Sequence, residues 1–216
     1  MQVKRSYEDP CGVARALDAV GQRWALLVVR ELLFGPKRFT DLNHGLAGIS
    51  QNVLSQRLSE LEEAGLVRRR RIGPPAGTRV YELTARGHEL EPVLLALARW
   101  GSRNPFAPGV AEFSVDAFIL ALKTTFDPQR AAGLHARFEL RLGEDRFHAE
   151  IHDGRFDVGR GSAVKADATL DTDVATLRTL VVGGSRPLVD AVRAGDLRLE
   201  GDHEAAARLI RCFPRP

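Results

Sequence analysis

The sequence has only two cysteines, Cys11 and Cys212, near opposite ends and without CxxC spacing, which excludes a disulfide framework and argues against a zinc site. No apolar run approaches the roughly 18 residues of a membrane span, and the opening stretch MQVKRSYEDP has no apolar h-region. The expectation is a cytoplasmic protein, neither secreted nor inserted in a bilayer. Missing too is any nucleophile, acid or base set out beside a partner, as catalysis requires. His148, Glu150 and His152 alternate along one strand and could in principle hold a metal, but a solvated polar face accounts for the same pattern. A non-enzyme without cofactor or metal is expected.

What is present is an ordinary globular composition, 44% hydrophobic and 27% charged, in a length of 216 residues that allows one large or two ordinary domains. The net charge of +3 is unevenly placed: residues 1–104 hold 16 Lys+Arg against 11 Asp+Glu, and residues 105–216 hold 15 against 17. A basic half with clustered charge is an electrostatic footprint for nucleic acid, and a mildly acidic half is not.

The first half reads as helices followed by a hairpin. Asp9-Pro10 starts a helix that carries Val13, Leu17 and Val20 and stops at Gly21. WALLVVRELLF, Trp24 to Phe34, is apolar nearly all round and closed by Gly35-Pro36, as suits a buried scaffold helix. FTDLNHGL follows as a short helix, and then GISQNVLSQRLSELEEAGL, a helix over 50–66 capped by Ser50 and ended at Gly65. Leu54, Leu58 and Leu61 give it a core face. Asn52, Ser55, Gln56 and Ser59 give the opposite face a stripe of hydrogen-bonding side chains suited to a major groove, while Glu60, Glu62 and Glu63 keep its far end away from DNA. Two short helices joined by a glycine turn make a helix-turn-helix. Two extended runs, Val67 to Ile72 and Arg79 to Thr84, flank the turn Gly73 to Thr78 as a basic wing over 67–84, with Val67, Tyr81 and Leu83 facing inward. A last helix runs from Thr84 or Ala85 to about Arg103. Its apolar face, Leu90, Val93, Leu94, Leu97, Ala98 and Trp100, is too broad for an isolated winged helix to cover, and a second subunit is the expected cover.

The stretches CGVARALDAVGQRWALLVVRELLFGPKRF, GISQNVLSQRLSELEEAGLVRR and RVYELTARGHEL resemble the HxlR-type winged-helix transcriptional regulators, over about Cys11 to Trp100. That resemblance implies a homodimer on double-stranded DNA, associated with the nucleoid, with the recognition helix in the major groove and the wing on the backbone or minor groove. The candidate DNA-contacting residues are Lys37, Arg38, Ser50, Gln51, Asn52, Ser55, Gln56, Arg57, Arg69, Arg71 and Arg79. It also implies that Cys11 is a candidate redox residue, because some relatives sense oxidants through a cysteine at this place.

Asn104-Pro105-Phe106-Ala107-Pro108-Gly109 reads as a boundary between domains 1–104 and 110–216. Beyond it come a helix capped by Ser114, strands from Leu134, Arg146, Arg155 and Ala166, helices from Asp173 and Pro187, a strand at Leu197 and Leu199, and a final helix capped by Asp202. The expected class is α+β: a winged helix-turn-helix domain, then helices packed on one face of a mostly antiparallel five-stranded sheet. The segment DATLDTDVATLRTLVVGGSRPLVDAVRAGDLRLEGDHEAAARLIRCF resembles the sterol carrier protein type two family, which implies a tunnel for a small apolar ligand. Candidate lining residues are Phe118, Leu122, Phe138, Phe147, Phe156, Leu177, Leu188 and Val192, although each could simply fill a core. Three functions are open: a regulator with an apolar-ligand sensor, a regulator whose C-terminal domain serves only oligomerisation or protein contacts, or a lipid-carrier or accessory enzyme domain carried on DNA for no regulatory purpose.

Overall fold

The computed structural model describes residues 6–73, 77–103, 113–181 and 186–214. The expected boundary at 104–109, the wing tip at 74–76 and the Gly183-Gly184 helix stop lie outside the described residues. Two units separate, Met1–Leu94 and Leu95–Pro216. Among the described residues no helix is long and apolar enough to cross a membrane.

The first unit holds α1 (Gly12–Val20), α2 (Ala25–Leu32), α3 (Phe39–Gly45), α4 (Gln51–Glu63), β1 (Val67–Ile72), β2 (Thr78–Leu83) and α5 (Ala85–His88); α6 (Glu91–Gly101) runs on past Leu94. Ser50 starts α4, its Oγ accepting the N–H of Val53 at 3.3 Å. Leu54, Leu58 and Leu61 then point into the core with no exposure, beside Leu42 of α3 and Val28, Val29 and Leu32 of α2. Each such leucine withdrawn from water is worth about 1.5–3 kcal/mol, so the 3.6-residue period fixes which face of α4 is left outside. The single helix expected from Thr84 to Arg103 is two helices. Pro92 explains the break, because it has no N–H to give to the His88 carbonyl and its ring crowds that oxygen.

The second unit holds α7 (Val115–Thr125), β3 (Ala136–Leu142), β4 (Asp145–His152), β5 (Arg155–Arg160), β6 (Ala168–Thr172), α8 (Val174–Val181), α9 (Leu188–Ala194), β7 (Arg198–Gly201) and α10 (His203–Arg211). Ser114 and Asp202 cap α7 and α10 as the sequence indicates. The five strands stand in the order β5-β4-β3-β6-β7, and the sheet is mixed: beside three antiparallel pairs, β3 and β6 run parallel with Phe138 opposite Ala168. Its cause is the seven-residue connection 161–167. Instead of turning back it crosses the sheet, so that β6 starts at the same end as β3.

That crossing also explains a buried acid on the polar face. Glu139 alternates outward between Phe138 and Leu140, yet it is only 6% exposed. Its Oε2 accepts the N–H of Ala163 in the crossing segment at 3.0 Å, and its Oε1 accepts from Arg141 at 2.7 Å. The Arg141 hydrogen bond, opposed by burial and helped by the Ala163 N–H and the charge of Arg146, holds the Glu139 carboxyl below the usual glutamate range. A depressed folded-state value means that the stabilisation is complete above the unfolded glutamate pKa, about 4.3, and is lost as pH falls through the folded value. Acid unfolding of the intact protein should therefore lose part of its steepness below pH about 4 in Glu139→Gln. Identical acid limbs for the two proteins would exclude Glu139 as an acid-labile tie.

The opposite face carries Phe138, Leu140, Phe147, Ala149, Ile151, Phe156 and Leu170, all buried. Helices α7, α8 and α10 lie on this side, for Leu122, Leu177 and Leu209 converge on Leu140 and Phe156.

Candidate nucleic-acid interface

Burial sorts α4 residue by residue. Gln51, Asn52, Ser55, Gln56 and Ser59 are exposed, and Leu54, Arg57, Leu58 and Leu61 are buried. The polar stripe thus stands outward as its spacing requires, starting at the capped end where backbone N–H groups are unpaired. Gln56 is engaged within the helix, its Nε2 donating to Glu60 at 3.1 Å. Arg57 does not stand with the stripe: it is 8% exposed and its guanidinium pairs with the same Glu60.

Lys37 is engaged in a similar way. Its Nζ lies 2.8 Å from Oε2 of Glu31, a carboxylate with no exposure whose Oε1 takes Arg30 at 2.8 Å. Lys37 also pairs its backbone with Tyr81 of β2, N–H to carbonyl in both directions. The side chain is a tie between the scaffold helix and the wing. Arg38 stays outside, 60% exposed, and clasps Asp41 at the start of α3.

In the wing, Val67 pairs with Leu83, Arg69 with Tyr81 and Arg71 with Arg79, so these six share one face. Val67 and Leu83 are buried at its root, while Tyr81 is only partly covered. Val80 and Glu82, on the other face, are buried as well. Most of the arginine run is already committed. Arg68 and Arg70 both reach Glu82, at 2.7 and 3.2 Å, and Arg69 reaches Glu62 of α4 at 2.8 Å while lying over the Tyr81 ring. Burial pushes the Glu82 carboxyl up, but the two arginine hydrogen bonds outweigh it and hold it below the usual range. Arg71 and Arg79 have no carboxylate partner among the described residues and face each other across the hairpin.

Cys11 is exposed as the N-cap residue of α1, one position before the first turn where the sequence places it; Cys212 is buried. His148, Glu150 and His152 stand on the polar sheet face, and no group of three or more His, Cys, Asp or Glu among the described residues is placed to hold a metal.

The candidate ligand residues separate into two groups. Leu122, Phe156 and Leu177 line an apolar cleft together with Leu140, Val181, Leu209, Ile210 and Phe213. Phe118, Phe138 and Phe147 have no exposure and lie outside it, closed into the core, and Leu188 and Val192 of α9 are partly exposed and also outside it. The cleft is shallow: its interior has room for about one water molecule, far short of the roughly 300–1,000 Å³ of a drug-sized pocket. Sequence reasoning also missed two buried charges. Glu31 was signalled by being the one acid inside WALLVVRELLF. Asp116 of α7, 1% exposed, holds Arg160 at 2.8 Å beside Asp145 and over the Phe147 ring, and nothing local marks that meeting.

Comparison with known proteins matches the two parts of the chain separately. The HxlR-like helix-turn-helix model matches residues 19–106, and the alkyl sulfatase C-terminal model matches residues 108–216. An uncharacterized HTH-type transcriptional regulator of Synechocystis sp. is 40% identical over 43% of this chain and 68% of its own length. One of Bacillus subtilis is 39% identical over 41% of this chain and 82% of its own. A solved sec-alkyl sulfatase is 20% identical over 48% of this chain and 17% of its own, with a TM-score of 0.44.

Proposed function

Since the chain belongs to the HxlR-like helix-turn-helix family through its first half and to the alkyl sulfatase C-terminal family through its second, we propose that this DNA-binding regulator acts as a homodimer on a pseudo-palindromic operator and answers to an apolar ligand. Residues 1–104 would bind DNA and dimerise, and 110–216 would take the ligand. The observation that carries the reading is the exposed stripe of Gln51, Asn52, Ser55, Gln56 and Ser59 on the same helix that Arg69 ties to the basic hairpin. Groove-edge hydrogen bonding from α4 then combines with charge from Arg71 and Arg79.

Dimerisation is supported by apolar side chains left in water: Val13 and Leu17 on α1, and Val93, Leu97 and Trp100 on α6, with Trp100 66% exposed. Large exposed apolar groups along a helix mark an interaction face, and two half-sites need two recognition helices. Leu97→Asp in the full chain should shift sedimentation from dimer to monomer and weaken binding to a promoter fragment of its own gene by about tenfold or more, because the second half-site contact is lost. A variant that sediments and binds as the wild type does would remove α6 from the interface.

The ligand reading rests on the cleft and on the sterol carrier protein resemblance. A cleft lined by eight apolar side chains suits an uncharged molecule, and regulation requires that the ligand favour one DNA-binding geometry over another. Phenylnaphthylamine, an uncharged fluorescent probe, is expected to bind the full chain and change its affinity for the promoter fragment, and Leu177→Trp should abolish both by filling the cleft. If the probe binds while DNA affinity stays constant, the second unit serves oligomerisation instead.

A further inference from the structure

Trp24 is, among the described residues, one of four non-glycine residues with a left-handed backbone, at φ +79°, a conformation that strains a bulky side chain. Its surroundings show what the conformation achieves. The edge of the indole, Cη2, comes within 3.9 Å of where a Cβ on Gly48 would stand. Gly48 itself is left-handed, at φ +88°, and lies two residues before Ser50, the cap of α4. The ring therefore lies beside the turn that leads into the recognition helix. On the ring lies the guanidinium of Arg23, 5.3 Å from the centroid.

Arg23 is exposed and, among the described residues, has no carboxylate partner. Like Arg71 and Arg79 it differs from the committed cations of the same unit: Arg30 and Lys37 pair with Glu31, Arg38 with Asp41, Arg57 with Glu60, Arg68 and Arg70 with Glu82, and Arg69 with Glu62. A guanidinium stacked on an aromatic face has lost much of its rotamer freedom beforehand, yet its N–H edge remains open for a bidentate oxyanion. Beside the exposed end of a helix that enters a groove, the oxyanion in reach is a backbone phosphate. We propose that Arg23, held on Trp24, is a DNA phosphate contact at the entry of the recognition helix.

This contact rests on the DNA-binding function proposed above, and the two fail differently. Binding of the full chain to a 30-base-pair random-sequence duplex would be measured against salt for the wild type, Arg23→Gln, Arg23→Lys and Arg193→Gln. Arg193 is exposed on α9 in the other unit, so its loss controls for net charge. Arg23→Gln should lower the slope of log K on log salt by about 0.9, one phosphate's worth, and weaken binding severalfold. Arg23→Lys should keep the slope, since it keeps the charge, but bind more weakly because a lysine does not offer the planar fork. Arg193→Gln should match the wild type. A slope for Arg23→Gln equal to that of Arg193→Gln overturns the contact alone. Weaker binding at an unchanged slope overturns it too, since that pattern belongs to a merely structural role. A wild type without salt-dependent binding overturns the proposed function and the contact with it.

Discussion

Glu31→Ala is expected to lower unfolding stability by about 3–5 kcal/mol, the usual cost of removing one partner from a buried ion pair. The carboxylate has no exposure, and each of its oxygens is committed, to Arg30 and to Lys37 at 2.8 Å. Alanine leaves two cations with only 20% and 13% side-chain exposure, too little water to replace the lost acid. It also opens space beside α3, because Glu31 Oε2 stands against the position that a Cβ on Gly45 would take. The loss should reach the wing, whose strand β2 exchanges backbone hydrogen bonds with Lys37. Urea unfolding of the full chain, with Glu31→Gln as the shape-conserving comparison, measures the effect. If both variants unfold at the wild-type midpoint, the tie contributes nothing to stability.

The sequence made most of the first unit legible because its periods and stops are local. Ser50 with Leu54, Leu58 and Leu61 is a complete statement of where α4 begins and which way it faces, and burial agrees at each of these positions. What stayed hidden was pairing over distance. RRRR reads as four free charges, but Glu62 and Glu82 stand where they neutralise three of them, and the hairpin register that brings them there depends on a turn. Lys37 looked like a surface cation after a helix stop for the same reason: its partner lies six residues back, on the inner side of α2.

In the second unit alternation located the strands, since Phe138, Leu140, Phe147 and Ile151 all face inward. Alternation is silent on strand direction. Parallel β6 follows from a connection that crosses the sheet, and a seven-residue loop carries no local mark of doing so. Nor does it say whether an inward phenylalanine meets a void or another side chain. Phe138 and Phe147 are closed in, while Phe126, Phe156 and Phe213 form a ring cluster with centroids 5.3–5.9 Å apart at the cleft. Phe138→Trp therefore has no space to fill, which is why the cleft-blocking substitution belongs at Leu177.

The double replacement Arg71→Gln/Arg79→Gln is expected to do two opposite things. Directly opposed like charges in a hairpin are destabilising by a few tenths of a kcal/mol up to about 1, and Arg71 and Arg79 are directly opposed without a carboxylate among the described residues. Their removal should leave the fold as stable as before or slightly more so. DNA binding should move the other way. Each arginine is free to neutralise one phosphate, so the slope of log K on log salt should fall by about 1.8 for the pair. Affinity at moderate salt should fall roughly 30-fold, taking on the order of 1 kcal/mol for each screened, exposed contact. The loss should be equal for promoter and random duplexes, because phosphate contacts carry no sequence information. Gln56→Ala is the complement: it should cost about 1–3 kcal/mol on the promoter fragment and little on random DNA. A pair loss confined to the promoter fragment would place the two arginines on base edges in a groove. A variant that lost stability together with affinity would mean that the opposed arginines hold the hairpin together, and that a partner for their charge exists within the protein.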